Sequence, residues 1–210
     1  MAQQTVLTIL VISYLLGSFP TAYLLGLLHG INIFEIGSGN MGANNAARAL
    51  GVKWGMFVWL IDGLKGLLAM LIARHLAPGD QSSAAMIVSA VAAVFGHNWS
   101  IFATLVTGRV RGGKGAATAS GTWILLVSPF VIAGVLMIWA AIVAATRYMS
   151  LAVLTSVAIV SIAVVITALV EDADPIYVVY VLVPIMVFYR HRTNIRAIIA
   201  GTERRFGDRA

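Results

Sequence analysis

Long runs of apolar residues with almost no charge inside them limit this chain to very few folds. Thr5–Leu28, Val52–Ala73 and Leu151–Val170 are each near the roughly 20 residues needed to cross a bilayer as a helix. Ala84–Val106 is another such stretch, broken by the polar group Gly96-His97-Asn98-Trp99. Ala116–Val127, Phe130–Ala145 and Ile176–Tyr189 are shorter, and Ser128-Pro129 separates the first two. Only 10% of the 210 residues are charged, against about 25% in a soluble domain. Composition thus excludes a soluble globular domain, a disordered chain and a coiled coil. The expected fold is an all-α integral membrane protein, a single polytopic domain over 1–210 with about seven transmembrane helices, some of them short. Met1-Ala2-Gln3-Gln4 carries no basic side chain, so the first apolar stretch is expected to be retained rather than cleaved as a signal peptide.

Cations give the orientation. If every stretch crosses, Arg48, Lys53, Arg109, Arg111, Lys114, Arg147, Arg190, Arg192, Arg196, Arg204, Arg205 and Arg209 share one side. Arg74 stands on the other with Asp80, Glu171, Asp172 and Asp174, and Lys65 stays inside a helix. The basic side is expected to be cytoplasmic, which places the N-terminus outside and the C-terminus inside. A six-span alternative merges 116–145 into one helix kinked at Pro129. It exports the arginine-rich tail, against the positive-inside rule, and the seven-span count is preferred.

Cysteine is absent, which removes disulfides, thiolate nucleophiles and Cys-based metal sites. The net charge of +6 is concentrated in a few loops and suits phosphate groups or anionic lipid. Asp62 and Lys65 are three residues apart on one helical face. Unpaired, each would cost about 2.5–3.5 kcal/mol in a membrane. They form either a mutual ion pair or the wall of a polar cavity.

Three basic-side segments carry the chemistry. Gly37-Ser38-Gly39-Asn40-Met41-Gly42-Ala43-Asn44-Asn45-Ala46-Ala47-Arg48 combines glycines, whose backbone amides can approach an anion, with neutral donors and one arginine. Gly108-Arg109-Val110-Arg111-Gly112-Gly113-Lys114-Gly115 opens onto a helix and nearly matches a P-loop. Gly115 stands where that motif needs Ser or Thr, and no strand precedes it. Phosphate binding is expected here, without nucleotide hydrolysis. In Tyr189-Arg190-His191-Arg192-Thr193-Asn194, His191 and Asn194 would share a face if the helix continues. Ser150 is expected at the N-cap of the Leu151–Val170 helix, where it can hold an anion with the free amides. His75 and Asp80 fit an H-x-x-x-x-D pattern suited to general base chemistry, but the charge argument places them on the opposite side. His97 is expected to be a packing residue, and His29 interfacial.

Taken in order, these motifs resemble the bacterial acyl-phosphate:glycerol-3-phosphate acyltransferases, the PlsY family, over nearly the whole chain. Gly17-Ser18-Phe19-Pro20 looks like the family's GS-x-P, and Gly37 to Arg48 like its GSGNxGATNxxR. Gly96-His97 with Gly112-Gly113-Lys114-Gly115 looks like GHxxPxFxxFxGGKG. Ser150-Leu151-Ala152 matches a short SLA signature. His191-Arg192-x-Asn194-Ile195 with Gly201-Thr202-Glu203 looks like HRxNIxRLxxGxE. Met41 replaces the usual Pro, Asn44 a Thr and Ser100 a Pro, and about five extra residues precede Gly-Gly-Lys-Gly.

The resemblance implies transfer of a fatty acyl group from acyl-phosphate to the 1-hydroxyl of glycerol 3-phosphate, giving lysophosphatidic acid and phosphate for phospholipid synthesis. It implies no metal, no cofactor, no nucleic acid and no obligate protein partner. The expected location is the bacterial inner membrane, with the site facing the cytoplasm. Arg48, Lys114 and His191 would hold glycerol-phosphate charge, Ser38 would orient it, and Asn194 would donate to the reacting carbonyl oxygen. Gly37, Gly39, Asn40, Asn45, Gly112, Gly113, Ser150 and Glu203 would complete substrate binding, and a substrate phosphate would take the proton. The competing reading is a membrane carrier for phosphate or organic phosphates.

Overall fold

The computed structural model describes residues 1–170 and 174–207. Glu171, Asp172 and Arg209 of the charge tally lie outside them. Among the described residues the fold is helical: α1 (Gln3–Ser18), α2 (Thr21–Leu28), α3 (Ala43–Leu50), α4 (Val52–Leu76), α5 (Ser82–Asn98), α6 (Ile101–Thr107), α7 (Ala116–Leu126), α8 (Pro129–Thr146), α9 (Met149–Val170), α10 (Leu182–Arg190) and α11 (Arg192–Ile199). A 3₁₀ segment, Pro175–Val181, leads into α10, so the expected Ile176–Tyr189 helix is half 3₁₀. Among the described residues four segments are long and apolar enough to cross a membrane: Gln3–Leu28, Val52–Leu76, Pro129–Thr146 and Met149–Val170. Ala116–Leu126 and Pro175–Arg190 are shorter apolar pieces.

Local chemistry explains the breaks. Pro20 has no amide to give and splits the first apolar stretch, expected as one helix, into α1 and α2. At the break the Phe19 carbonyl accepts from the Thr21 amide at 3.1 Å and from the Lys65 ammonium at 2.5 Å. Ser128 accepts a hydrogen bond from the Val131 amide and Pro129 takes the first helical position, so α8 starts afresh after α7. Ser100 caps α6 through the Ala103 amide and donates to the Ser18 carbonyl of α1. The serine standing where the family has proline thus ties two helices together.

Small residues let the long helices meet backbone to backbone, as helices in lipid do. On α1 and α5, a Cβ at Gly17 would stand 2.0 Å from the Ala93 oxygen, and one at Gly96 2.2 Å from the Tyr14 oxygen. On α4 and α7, a Cβ at Gly66 would stand 2.1 Å from the Thr118 oxygen, and one at Gly121 1.8 Å from the Gly63 oxygen. The main core, with Met70, Ile87, Val94, Trp123, Val157 and Val160, fills the space between α4, α5, α7 and α9. Tyr180 is fully buried there, its hydroxyl 2.7 Å from Thr122 Oγ1. By contrast α8 exposes most of its apolar surface and packs chiefly on α9.

Asp62 and Lys65 form the mutual ion pair. Thr21 Oγ1 donates to Asp62 Oδ1 at 2.9 Å. Neither residue lines the polar or the apolar cavity described below.

The α4–α7 contact makes a direct prediction. In Gly121→Leu the new Cβ meets backbone that has no room to move, and the loss should be about 3 kcal/mol. At about 2–4 °C per kcal/mol this is a fall of roughly 6–12 °C in Tm. Nothing lies within 4 Å of a Cβ at Gly134 on α8. Gly134→Ala should therefore leave Tm unchanged or raise it slightly, since alanine suits a helix interior better. Thermal unfolding of the two purified variants in one detergent checks both.

Candidate active site

The first polar segment is a loop only as far as Gly42, because Ala43–Leu50 is helical. Asn45 organises the loop. Its Oδ1 accepts from the Ser38 amide at 2.8 Å and the Ser38 hydroxyl at 3.1 Å, and its Nδ2 donates to the Ile33 and Asn40 carbonyls at 3.0 and 2.9 Å. The side chain is fully buried with every polar atom engaged. Gly37 adopts φ +61°, and a Cβ there would stand 2.4 Å from Asn45 Oδ1. Asn45 and Gly37 shape the loop, and neither they nor Gly39 line the polar cavity beside it. Ser38, Asn40, Gly42, Ala43, Asn44 and Arg48 are the residues of this segment that reach that cavity.

The second loop is clamped to the end of α5. The Ser100 amide donates to the Arg111 carbonyl (2.9 Å) and the Gly113 amide to the His97 carbonyl (2.8 Å). A Cβ at Gly112 would stand 2.2 Å from the Asn98 oxygen. From the other side Arg190 donates to the carbonyls of Gly113 (2.9 Å) and Gly112 (3.3 Å). Gly112 and Gly113 line no cavity. Both positions require glycine, because the loop lies against α5 with no space for a side chain. Gly115, at φ +78°, turns the chain into α7 and does face the cavity. Arg111 donates to the Gly39 carbonyl (3.3 Å) and stacks on Phe34, so it ties the two loops together instead of reaching the cavity.

The third segment bends at His191, between α10 and α11, so His191 and Asn194 do not share one continuous helix; both nevertheless line the same cavity. His191 Nδ1 stands 2.8 Å from the Val187 carbonyl. A carbonyl only accepts, so Nδ1 carries the hydrogen and Nε2 of the neutral ring is an acceptor. Burial, then the nearby Lys114 charge, lowers the His191 pKa to about 4. His191 is therefore neutral at pH 7 and does not bring the positive charge expected of it. Lys114 is lowered from 10.5 to about 8, first by burial and then by Arg48 and Arg190, with Glu203 opposing. It remains mostly a cation at pH 7.

Asn194 joins the parts. Its Oδ1 accepts from Lys114 Nζ at 2.5 Å and its Nδ2 donates to Glu203 Oε1 at 2.8 Å. Lysine only donates and an ionised carboxylate only accepts, so the amide orientation is fixed chemically. Ser150 Oγ donates to the same Glu203 oxygen at 2.5 Å. Ser150 was expected at an N-cap; it is the second residue of α9 and its hydroxyl is turned to Glu203. A single anionic oxygen thus lies between Ser150 and Asn194, with Lys114 behind it.

The polar cavity has a volume of about 110 Å³. An apolar cavity of about 440 Å³ adjoins it. Ala43, Asn44, Trp59, Ala116, Ala117, Met149 and Val153 line both. The apolar one extends to Met56, Leu136, Trp139 and Phe206. Sequence reasoning missed Arg190, whose role depends on a loop 77 residues earlier, and the wall residues Trp59 and Phe206. His97, expected to be packing, lines the polar cavity. His75 and Asp80 line neither cavity. Among the described residues no group of three or more His, Asp or Glu side chains is placed to hold a metal ion.

A family model described as "Glycerol-3-phosphate acyltransferase" matches residues 7–201. A glycerol-3-phosphate acyltransferase of Rubrobacter xylanophilus is 40% identical over 204 residues, 96% of each chain. One from Geobacter sulfurreducens is 40% identical over 195 residues, 93% of this chain and 94% of its own. Among solved structures, PlsY (YgiH), described as an integral membrane glycerol 3-phosphate acyltransferase, superimposes in its glycerol 3-phosphate form with a TM-score of 0.82 at 33% identity, covering 96% of both chains. Its lysophosphatidic acid form gives 0.79. On this breadth of agreement, the chain belongs to the glycerol-3-phosphate acyltransferase family.

Proposed function

We propose that this chain transfers a fatty acyl group from acyl-phosphate to the 1-hydroxyl of glycerol 3-phosphate, giving lysophosphatidic acid and phosphate. The observation that carries this reading is a small cationic cavity sharing a wall with an apolar cavity several times larger. One reactant must be a compact polar anion and the other must combine an anionic head with an apolar tail. Arg48, Lys114, Ser38 and Asn40 receive the glycerol phosphate. The acyl chain lies along the apolar cavity between α4, α7, α8 and α9. The donors that Glu203 engages, Ser150 and Asn194, serve substrate oxygens once acyl-phosphate enters.

Acyl-phosphate is a mixed anhydride, so the glycerol oxygen attacks the acyl carbon directly. The new ester C–O bond forms as the C–O bond to phosphate breaks. Asn194 Nδ2 donates to the carbonyl oxygen as it gains charge. With a pKa near 4, His191 is a weak base. It accepts a hydrogen bond from the attacking hydroxyl, and the proton goes to the departing phosphate.

The seven stretches cross the membrane, with the N-terminus outside and the C-terminus in the cytoplasm, and the site opens to the cytoplasm from a bacterial inner membrane. The separate start of α8 at Ser128 and the cations gathered around the polar cavity support this. No metal, cofactor or partner protein is needed by the chemistry. Asp62 and Lys65, which as a polar pair would suit a carrier, form an ion pair and line neither cavity.

Purified protein given glycerol 3-phosphate should form lysophosphatidate from palmitoyl-phosphate and none from palmitoyl-CoA; activity with palmitoyl-CoA alone would contradict the donor assignment. Asn194→Ala should lower kcat about 100–1,000-fold while the protein remains folded, the loss expected for one oxyanion donor. Lys114 loses its proton as pH rises through about 8. Hence kcat/KM for glycerol 3-phosphate, which reports the free enzyme, should fall above pH 8 with a midpoint near that value. Lys114→Arg cannot deprotonate in this range, so its residual activity should show no such alkaline fall.

A further inference from the structure

Two buried polar groups beneath the second loop take no part in that chemistry. Asp62 satisfies Thr21 and Lys65 through one oxygen, Oδ1. Its Oδ2 is buried without a hydrogen bond, and so is His97 Nδ1. These two atoms stand 4.0 Å apart. Unmatched polar atoms inside an apolar protein are costly and call for an explanation. At the other edge of the ring, His97 Nε2 lies under Gly113, where a Cβ would come within 1.9 Å of it. The His97 carbonyl holds the Gly113 amide, and the next residue is Lys114.

We propose that Asp62 and His97 are positioning residues for glycerol 3-phosphate: the carboxylate orients the imidazole, and the imidazole seats Gly113 so that Lys114 is aimed into the polar cavity. The inference rests on the glycerol 3-phosphate reading above. Attraction between the Asp62 carboxylate and the Nδ1 hydrogen fixes the ring's rotation. A ring so fixed is a rigid floor, and only glycine clears it at position 113. Arg190 holds the same loop from its opposite side through the Gly112 and Gly113 carbonyls. Lys114 is thereby restrained from two directions. This gives the mid-membrane carboxylate of α4 a purpose beyond pairing with Lys65. A 1 Å error in placing a binding group costs on the order of 100-fold, so losing either support should register in substrate handling before it registers in folding.

Steady-state kinetics in both substrates test the proposal. His97→Asn should raise KM for glycerol 3-phosphate about 10–100-fold, leaving KM for palmitoyl-phosphate and the midpoint of thermal unfolding close to wild type. A fall in kcat with both KM values unchanged, or a parallel loss with unfolding, would overturn it. A second comparison carries the test should His97→Asn fold poorly. Gly113→Ala alone should raise the glycerol 3-phosphate KM by displacing the loop. In Gly113→Ala/His97→Ala the methyl gains room, so the double variant should be no worse than His97→Ala. Effects that multiply would show that ring and loop act independently and would overturn the proposal. Wild-type protein that makes no lysophosphatidate would instead remove the glycerol 3-phosphate reading itself, a result distinct from either.

Discussion

A charge held among apolar helices must be neutralised by the chain itself, and much of this structure follows from that constraint. Asp62 and Lys65 meet it within α4, with help from Thr21 and from the Phe19 carbonyl at the Pro20 break. Lys114 donates to Asn194 and Asn194 to Glu203, so the amide links the cation to a carboxylate. The second chain of contacts ends in a carboxylate that two donors lining the polar cavity hold in common.

Close backbone contact supplies the rigidity that such bonds need. Glycines at the α1–α5 and α4–α7 contacts bring helices together, and the glycines of the second loop bring it down onto α5. Loop and helix pack by the same means, so a polar loop at the membrane surface acquires the stiffness of the helical bundle beneath it. The apolar cavity lies beside α8, a helix that the core holds only loosely. This arrangement suits entry of an acyl chain from lipid on one side and of a water-soluble phosphate from the other.

The helical class and the polar segments were legible from residue pattern because lipid imposes them directly: apolar length, absence of charge, and glycine with cations in the connections. The break at Pro20 and the divided end at His191 were not, since a hydropathy run reads straight through both. The roles inside the loops were also hidden. Asn45 carries a ligand-like side chain, yet four hydrogen bonds turn it inward. Gly112 and Gly113 resemble an anion cradle, but they are fixed by what lies beneath them. His191 was read as a charge, and burial beside Lys114 leaves it neutral. For the glycines and His191 the deciding neighbour comes from another segment, and for Asn45 it is the folded loop itself, so no local pattern announces it.

The central claim is that the two adjoining cavities allow direct transfer, with no acyl group carried by the protein. Phosphate release from palmitoyl-phosphate, followed on the millisecond-to-second scale with and without glycerol 3-phosphate, tests this most directly. Direct transfer predicts release only when glycerol 3-phosphate is present, one phosphate for each lysophosphatidate formed. A burst of phosphate without glycerol 3-phosphate, equal in amount to the protein, would reveal an acyl-enzyme and contradict the account.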